Sequence, residues 1–387
     1  MIGMSAVIFI PDDTAKTGYP QPLMLQSVMG APLLAWLANA LFDSGVGRFF
    51  LVCHDRYVEA ARACLPAEAE VMTTMDSDPA DLLHVFLSTA EDAEHTITVV
   101  TGPAVYLPQL APQAAGRFPR VYGVSREELM QALDEHFSFA RFLLDNGSPM
   151  NEEQAMYSVA SPAELPEIAG LLQRNRLLAL ARTGVEIYDA SSCYVEPSVR
   201  VAPGARLLPG TMLRGKTVIG EEAVIGPWSV IDDSVIGARA VVNASQVRES
   251  RVGQDAVVGP YASVRGGCEL GRSVRAGSFV ELKNARLGEN TQVPHLAYLG
   301  DTEAGANCNF GCGVATANFD RVQKHETVVG DGAFIGCNTA LIAPLQVGSG
   351  AYIGAGSTIT EDVPAQALGI ARARQSNKKE WAAKHKK

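Results

Sequence analysis

Four residues in the stretch 264–301 differ chemically from their surroundings: Arg265, Lys283, His295 and Tyr298. A histidine can take up a proton near neutral pH, because its ordinary pKa is about 6.5. An arginine fork and a lysine point charge can together hold a phosphate. Arg265 and Lys283 are 18 positions apart, and Lys283 and His295 are 12 apart. Taken singly, each cation reads as a solvated surface charge and the histidine as structural or merely exposed. The spacing becomes chemical only if the chain returns to the same place every ~18 residues.

The surrounding sequence has that return built in. An aliphatic or small residue recurs at every sixth position, at Val264, Leu270, Ala276 and Leu282, and again at Leu287, Val293 and Leu299 after one five-residue step. The same period runs through Val195, Val201, Leu207, Leu213, Ile219, Ile225 and Ile231, and glycine often follows, as in IGEEAV and VGDGAF. Six residues match neither a helix nor an alternating strand. They describe one short strand plus one turn, and three such sides close a coil of ~18 residues, the hexapeptide form of the parallel β-helix. About 26 repeats would stack on the order of eight or nine coils. Further five-residue steps after Ile231, Val242 and Val247 predict tighter corners. Residues 18 apart then stack on one face, and residues 12 apart lie two sides along. His295, just after Val293, is expected to project outward. The period is expected to fail after Leu299 and Gly305, across 309–327, and to return at Val329. A long loop on a rigid stack is more often functional than accidental, a tolerated insertion being the alternative.

The first half is built differently. Short apolar runs at 6–10, 49–53 and 96–101 alternate with helix-like segments at 33–44 and 56–65, which predicts an α/β domain with a parallel sheet and crossover helices. Apolar spacing at 126–145 and 163–183 is also helical. Such a domain can bind a nucleotide at the carboxyl ends of its strands. The loop after the first strand, IPDDTAKTGYPQP, is poorly suited to that: Gly18 is its single glycine, Pro11, Pro20 and Pro22 offer no N–H, and Asp12 and Asp13 repel phosphate.

Composition sets wider bounds. At 387 residues the chain exceeds the reach of one core, so two domains are expected. With 36 glycines and 7% aromatic residues it suits many short strands and tight turns. A net charge of -10 argues against nucleic acid as a partner, while a local cation cluster still admits a small anion. Seven cysteines, at 53, 64, 193, 268, 308, 312 and 337, show no paired spacing, so neither a disulfide framework nor a zinc site is expected. The start, MIGMSAVIFIPDDTAK, lacks a signal peptide's basic start and cleavage site, and no apolar run approaches the ~20 residues that span a bilayer. The expectation is a cytoplasmic protein without membrane insertion.

The runs SFVELKNARLG, HLAYLGD, ANFD, FIG and IARARQ resemble the acetyltransferase half of the bifunctional N-acetylglucosamine-1-phosphate uridylyltransferase/glucosamine-1-phosphate N-acetyltransferase family, over about 184–381. That resemblance implies a left-handed β-helix, a homotrimer with active sites between neighbouring subunits, acetyl-CoA as cosubstrate and an amino-sugar phosphate as acceptor. On it, His295 matches the general base, Arg265 and Lys283 the sugar-phosphate ligands, Tyr298 and Asn309 sugar contacts, and Glu281 a supporting carboxylate. Asn318 and Phe319 match a coenzyme-contacting pair in which the family usually has Tyr second. Cys312, Cys337, Ala355 and Arg372 fall on further coenzyme positions, with Ala and Ser more usual than the two cysteines, and Lys324 resembles a coenzyme or product contact. Backbone N–H groups of the turn 311–313 are candidate donors to an oxyanion. The tail KKEWAAKHKK reads as a solvated charged end.

The first half resembles the family's uridylyltransferase half with its chemistry removed. NEEQAMYSVAS is similar to an Asn-x-x-Gln-x-x-Tyr segment, and PQPLMLQSVMGAPLL to the segment with a Pro-Lys pair, here Pro22-Leu23. The Gly-Asp pair that supplies a magnesium ligand becomes Gly102-Pro103, and the second ligand, an Asn, appears as Ala160 or Ser161. Losing cradle, lysine and both ligands leaves no route to stabilise a pyrophosphate leaving group, so magnesium is not expected and no metal ligand is assigned. The expected division is a degenerate nucleotidyltransferase-like, Rossmann-like α/β domain at 1–161, a linker helix at 162–189, the β-helix at 190–363 and a tail at 364–387. The expected function is acetyl transfer to glucosamine 1-phosphate in UDP-N-acetylglucosamine synthesis, with uridylyl transfer lost. A non-catalytic or regulatory sugar-nucleotide-binding homologue, and an acetyltransferase for another amino sugar, remain alternatives.

Overall fold

The computed structural model describes residues 4–74, 79–90, 95–110, 119–134, 139–151, 153 and 155–385. It divides into two compact units, Met1–Thr183 with Tyr194–Val199, and Gly184–Cys193 with Arg200–Lys387. No helix among the described residues is long and apolar enough to cross a membrane.

The first unit is a six-stranded sheet in the order Glu70–Thr74, Arg48–Cys53, Ser5–Ile10, Thr96–Val100, Val121–Ser125, Ser148–Met150. Its first four strands are parallel, with Ser5 opposite both Arg48 and Ile97, and their continuous apolar runs are buried as sheets covered on both faces require. The last two strands pair antiparallel, which differs from the wholly parallel sheet the sequence suggests. Antiparallel neighbours need no crossover helix between them, so the strand–helix alternation that betrays the parallel part is missing. The helical stretch 126–145 forms two helices, Arg126–Asp134 and Phe139–Asn146, with 135–138 outside the described residues. The helix Leu165–Arg182 belongs to this unit and sends Ile168 and Leu172 into its core. In the segment NEEQAMYSVAS, Glu152 and Gln154 lie outside the described residues, and its end forms the strand Met156–Ser158.

The loop after the first strand closes on itself. Asp12 accepts from the Thr14 hydroxyl at 2.6 Å and pairs with Arg56, while Asp13 Oδ1 accepts from the Leu23 N–H at 2.9 Å. Leu23, Met24 and Leu25 form one 3-10 turn, all buried.

In the second unit, short strands follow in sequence order and each pairs in parallel with the strand three places on. One side thus stacks Arg200–Val201, Val218–Ile219, Val235–Ile236, Arg251–Val252 and Glu269–Leu270. This is a left-handed parallel β-helix whose period residues, among them Leu207, Leu213, Ile219, Ile225 and Ile231, are buried. The two step lengths have separate corner geometries. In six-residue steps the left-handed residue comes three after the inward one, as in Glu222 (φ 57) after Ile219; in five-residue steps it comes two after, as in Asp233 (φ 43), Asn284 (φ 48) and Asp301 (φ 47). Removing one residue moves the bend and leaves the stack intact.

The expected break across 309–327 is corrected. The inward row continues from Leu299 by a five-residue step to Ala304, not Gly305, and on through Phe310 and Thr316, all buried. A large ring and a hydroxyl in the inward position escape a count of aliphatic residues. Thr316 is accommodated because its hydroxyl accepts from the Gly300 N–H at 2.7 Å and donates to the Gly300 carbonyl at 3.1 Å. Only 318–326 stands outside the coil, between Ala315–Ala317 and Thr327–Val329.

Candidate functional site

One face of the β-helix stacks Ser263–Arg265, the middle of Arg275–Leu287, the middle of Gln292–Ala304 and Ala315–Ala317. Its register places Arg265 opposite Lys283, Lys283 opposite Gly300, and Glu281 opposite Tyr298. Adjacent rungs of a parallel sheet are about 4.8 Å apart, so these side chains are neighbours. The Arg265 guanidinium donates to Glu281, and both side chains are partly exposed. A surface pair of this kind orients the arginine more than it stabilises the fold.

Lys283 meets Lys324, which the insertion brings back over the face. Hydrogen bonding to Lys283 and repulsion by its charge hold the Lys324 ammonium below the ordinary lysine pKa, partly offset by Asp301 and Tyr298. Two cations held together without a covering anion make a seat for one.

His295 stands at the corner preceding this face, exposed, with Ser278 as its register partner one coil below. The turn 311–313 lies one coil above, where the Gly313 N–H donates to the Leu296 carbonyl at 2.7 Å. The corner continues upward through Cys312 and Cys337, whose coils are joined by the Asn338 N–H to Cys312 carbonyl bond at 2.7 Å, and then through Ala355. Arg372 folds over Gly356 at the end of that column. Gly311 is required here, since a Cβ would stand 2.7 Å from the Cys337 nitrogen and 2.9 Å from its thiol. The structure therefore brings His295, Cys312, Cys337, Ala355 and Arg372 into one line, with Arg265, Glu281, Lys283 and Tyr298 on the face beside it. Asn309 pairs with Gln292 and Phe334 on the side that precedes the corner, so His295 lies between Asn309 and Tyr298 along the chain's winding.

The turn's supply of N–H donors is narrower than the sequence suggests. The Gly311 N–H is spent on the Ile335 carbonyl and that of Gly313 on Leu296, whereas among the described residues no backbone carbonyl accepts from Cys312 or Cys337. Coil stacking consumes alternate amides and leaves the middle residue of each corner turned out.

The insertion is a fastened hairpin. Phe319 and Lys324 form an antiparallel bridge, and the His325 N–H donates to the Asn318 carbonyl at 2.8 Å. Asp320 accepts from the Gln323 and Val322 N–H groups, each at 2.8 Å, and faces His325 Nε2 at 2.7 Å, contacts that hold its carboxyl far below the usual range. Phe319 is exposed. Sequence reasoning missed Asp320 and His325, and also Asp301 and Asn284, whose amide donates to Asp301 at 2.7 Å. The left-handed corner that follows each five-residue step was the available signal for the last two.

The chain is 41% identical over 240 residues to the bifunctional protein GlmU of Clostridium perfringens (strain SM101 / Type A), covering 62% of this chain and 53% of that one. It is 45% identical over 221 residues to the bifunctional protein GlmU of Brevibacillus brevis, covering 57% and 48%. The chain is thus a homologue of these proteins and spans about half the length of the curated relatives it matches. The bacterial transferase hexapeptide family (six repeats) matches residues 326–361. Among solved structures, the inositol-1-phosphate CTP transferase from T. maritima aligns with a TM-score of 0.35 at 13% identity, over 46% of this chain and 97% of that one, a likeness too loose to bear on chemistry.

Proposed function

We propose that the β-helix transfers an acetyl group from acetyl-CoA to the amine of glucosamine 1-phosphate, in the UDP-N-acetylglucosamine route. The observation that carries this is the meeting of His295, the Lys283–Lys324 pair and the corner column from Cys312 to Arg372. A neutral amine must attack the thioester carbonyl. His295 takes the proton the amine loses as the C–N bond forms, and the C–S bond then breaks to release the coenzyme thiol. The Cys312 N–H, free of the coil's ladder, donates to the oxyanion formed in between. Lys283 and the Arg265 fork, steered by Glu281, hold the sugar phosphate. Tyr298 and Asn309 address the sugar ring, and Asn318, Phe319, Lys324, Cys337, Ala355 and Arg372 the coenzyme.

Uridylyl transfer is absent in this proposal. Leu23 is buried, the Asp13 carboxylate is occupied by the Leu23 N–H, and Pro103 and Ala160 or Ser161 offer a magnesium ion no carboxylate. These residues do not fit the metal, and no step runs through it.

The active assembly is a homotrimer. Trp228, Tyr261, Phe279 and Leu296 lie along the corner that carries His295, exposed by 71, 63, 61 and 57%, and all have left-handed backbone. That conformation costs a bulky residue roughly 1–2 kcal/mol, which an apolar ridge offsets when another copy covers it.

The test offers purified protein acetyl-CoA with a panel of amino sugars and their phosphates, and follows thiol release. Glucosamine 1-phosphate should be turned over, and His295→Ala should lower the rate by about 10²–10⁴-fold. A preference for another acceptor moves the substrate, and coenzyme binding without turnover on any acceptor removes the enzyme. Formation of a sugar nucleotide from uridine triphosphate with magnesium would overturn the account of the first unit.

A further inference from the structure

Asp301 holds the left-handed position of a five-residue corner (φ 47), one rung above Asn284, which holds the same position (φ 48). Short polar side chains tolerate that backbone, so a turn alone would explain an aspartate here. Its contacts go further. Oδ1 accepts from Asn284 Nδ2 at 2.7 Å and Oδ2 accepts from Asn318 Nδ2. Burial pushes the Asp301 carboxyl up, but the Asn284 and Asn318 amides together with Lys283 and Lys324 outweigh it and leave the pKa below 3.8, so the group is ionised at neutral pH.

An ionised carboxylate only accepts hydrogen bonds, so both amides must turn their NH2 groups toward it. The orientation of an amide is ordinarily ambiguous between O and N; here the charge decides it. Asn318, 8% exposed, is left with Oδ1 facing away from Asp301. That oxygen accepts nothing among the described residues and is not sealed from solvent. Its surroundings leave little room for another arrangement, because the Asn318 nitrogen and the Tyr298 hydroxyl both pack onto Gly300. A Cβ there would stand 2.8 Å from the first and 2.3 Å from the second.

We propose that Asp301 is a positioning residue: it locks Asn318 as an acceptor for a ligand N–H or O–H and keeps Lys283 and Lys324 over the same ligand. This rests on the acyl-transfer function above, in which the donor is an amide N–H of the coenzyme's pantetheine arm. Asp301 itself touches no substrate. In Asp301→Asn the Asn284 and Asn318 donors compete for one amide oxygen, and one of them loses its acceptor. In Asn318→Asp two carboxylates are forced together. The exchanged pair Asp301→Asn/Asn318→Asp restores one carboxylate to one amide, still with an oxygen turned outward, at unchanged net charge.

Titration calorimetry with coenzyme A on the full chain tests this. Each single variant should weaken binding about tenfold or more, and the exchanged pair should recover to within about threefold of the native chain. Equal binding by the native chain and both folded single variants would overturn the proposal, as would an exchanged pair no better than the singles. The lock is read separately from 15N spectra of asparagine-labelled protein. Two shielded side-chain NH2 groups should be present, and Asp301→Asn should release at least one to rapid exchange; unchanged spectra overturn the lock. A native chain that binds no coenzyme A while its spectra show the lock overturns the ligand and, with it, the acyl-transfer function.

Discussion

At the scale of single residues, the Lys283–Lys324 contact has a sign that can be checked. Lys324 is depressed below 10.5 by its like-charged neighbour, so the unfolded chain holds that proton more tightly. Stability should therefore rise with pH between the depressed value and 10.5. A sugar phosphate or coenzyme phosphate seated on both lysines raises the Lys324 pKa again. Binding in that alkaline window should take up protons, measured by calorimetry in two buffers of unlike ionisation enthalpy, and Lys283→Ala should abolish the uptake. The cysteines give a second test. Cys53, Cys64, Cys193, Cys268 and Cys308 are buried, and burial pushes the Cys64 thiol up to about 11 and raises the last three. Thiolate is the reactive form. Cys312 is half-buried and Cys337 exposed. A maleimide should label two of the seven thiols quickly in the native chain, by intact mass, and acetyl-CoA should protect both.

At the scale of the element, the hairpin 318–326 is held by one carboxylate. Asp320 gathers two backbone N–H groups and the His325 ring, and the Phe319–Lys324 bridge depends on the turn it braces. Asp320→Ala should therefore free the hairpin without unsettling the coil, which runs through Thr316 and Val329 beneath it. The expected result is new proteolytic cleavage within 319–324, a raised KM for acetyl-CoA and a Tm within about 2 °C of the native chain, since the loss of surface contacts costs only about 0.5 kcal/mol. A hairpin that stays resistant to protease would remove the brace. The depressed Asp320 carboxyl adds that this brace is present above the ordinary carboxylate pKa of 3.8 and is lost only as pH falls through its lower folded value.

At the scale of the molecule, the corner ridge couples assembly to catalysis. Asparagine tolerates left-handed backbone better than an aromatic ring does, so Tyr261→Asn/Phe279→Asn should leave each β-helix at least as stable while removing the stacked rings, now 5.4 Å apart. Sedimentation equilibrium should then report a 41.1 kDa species where the native chain gives three times that mass, and the acetylation rate should fall with the trimer. A native chain that sediments as a monomer would remove the assembly from the proposal.

Much of this protein was legible without coordinates, because a hexapeptide repeat is a local constraint. Each six-residue unit must place one small or aliphatic residue inward, so the two-part chain, the β-helix, its five-residue corners and the stacking of Arg265 under Lys283 all follow from counting. The extent of the insertion did not. Phe310 and Thr316 fill inward positions only because the coil has room for a ring and because Gly300 satisfies the hydroxyl. Nor could counting find that Cys312, alone in its turn, keeps its N–H free, that Lys324 returns to Lys283, or that Asp301 decides which way Asn318 faces. Those facts depend on side-chain directions and amide partners supplied by coils 17 or more residues away, which only the folded stack brings into contact.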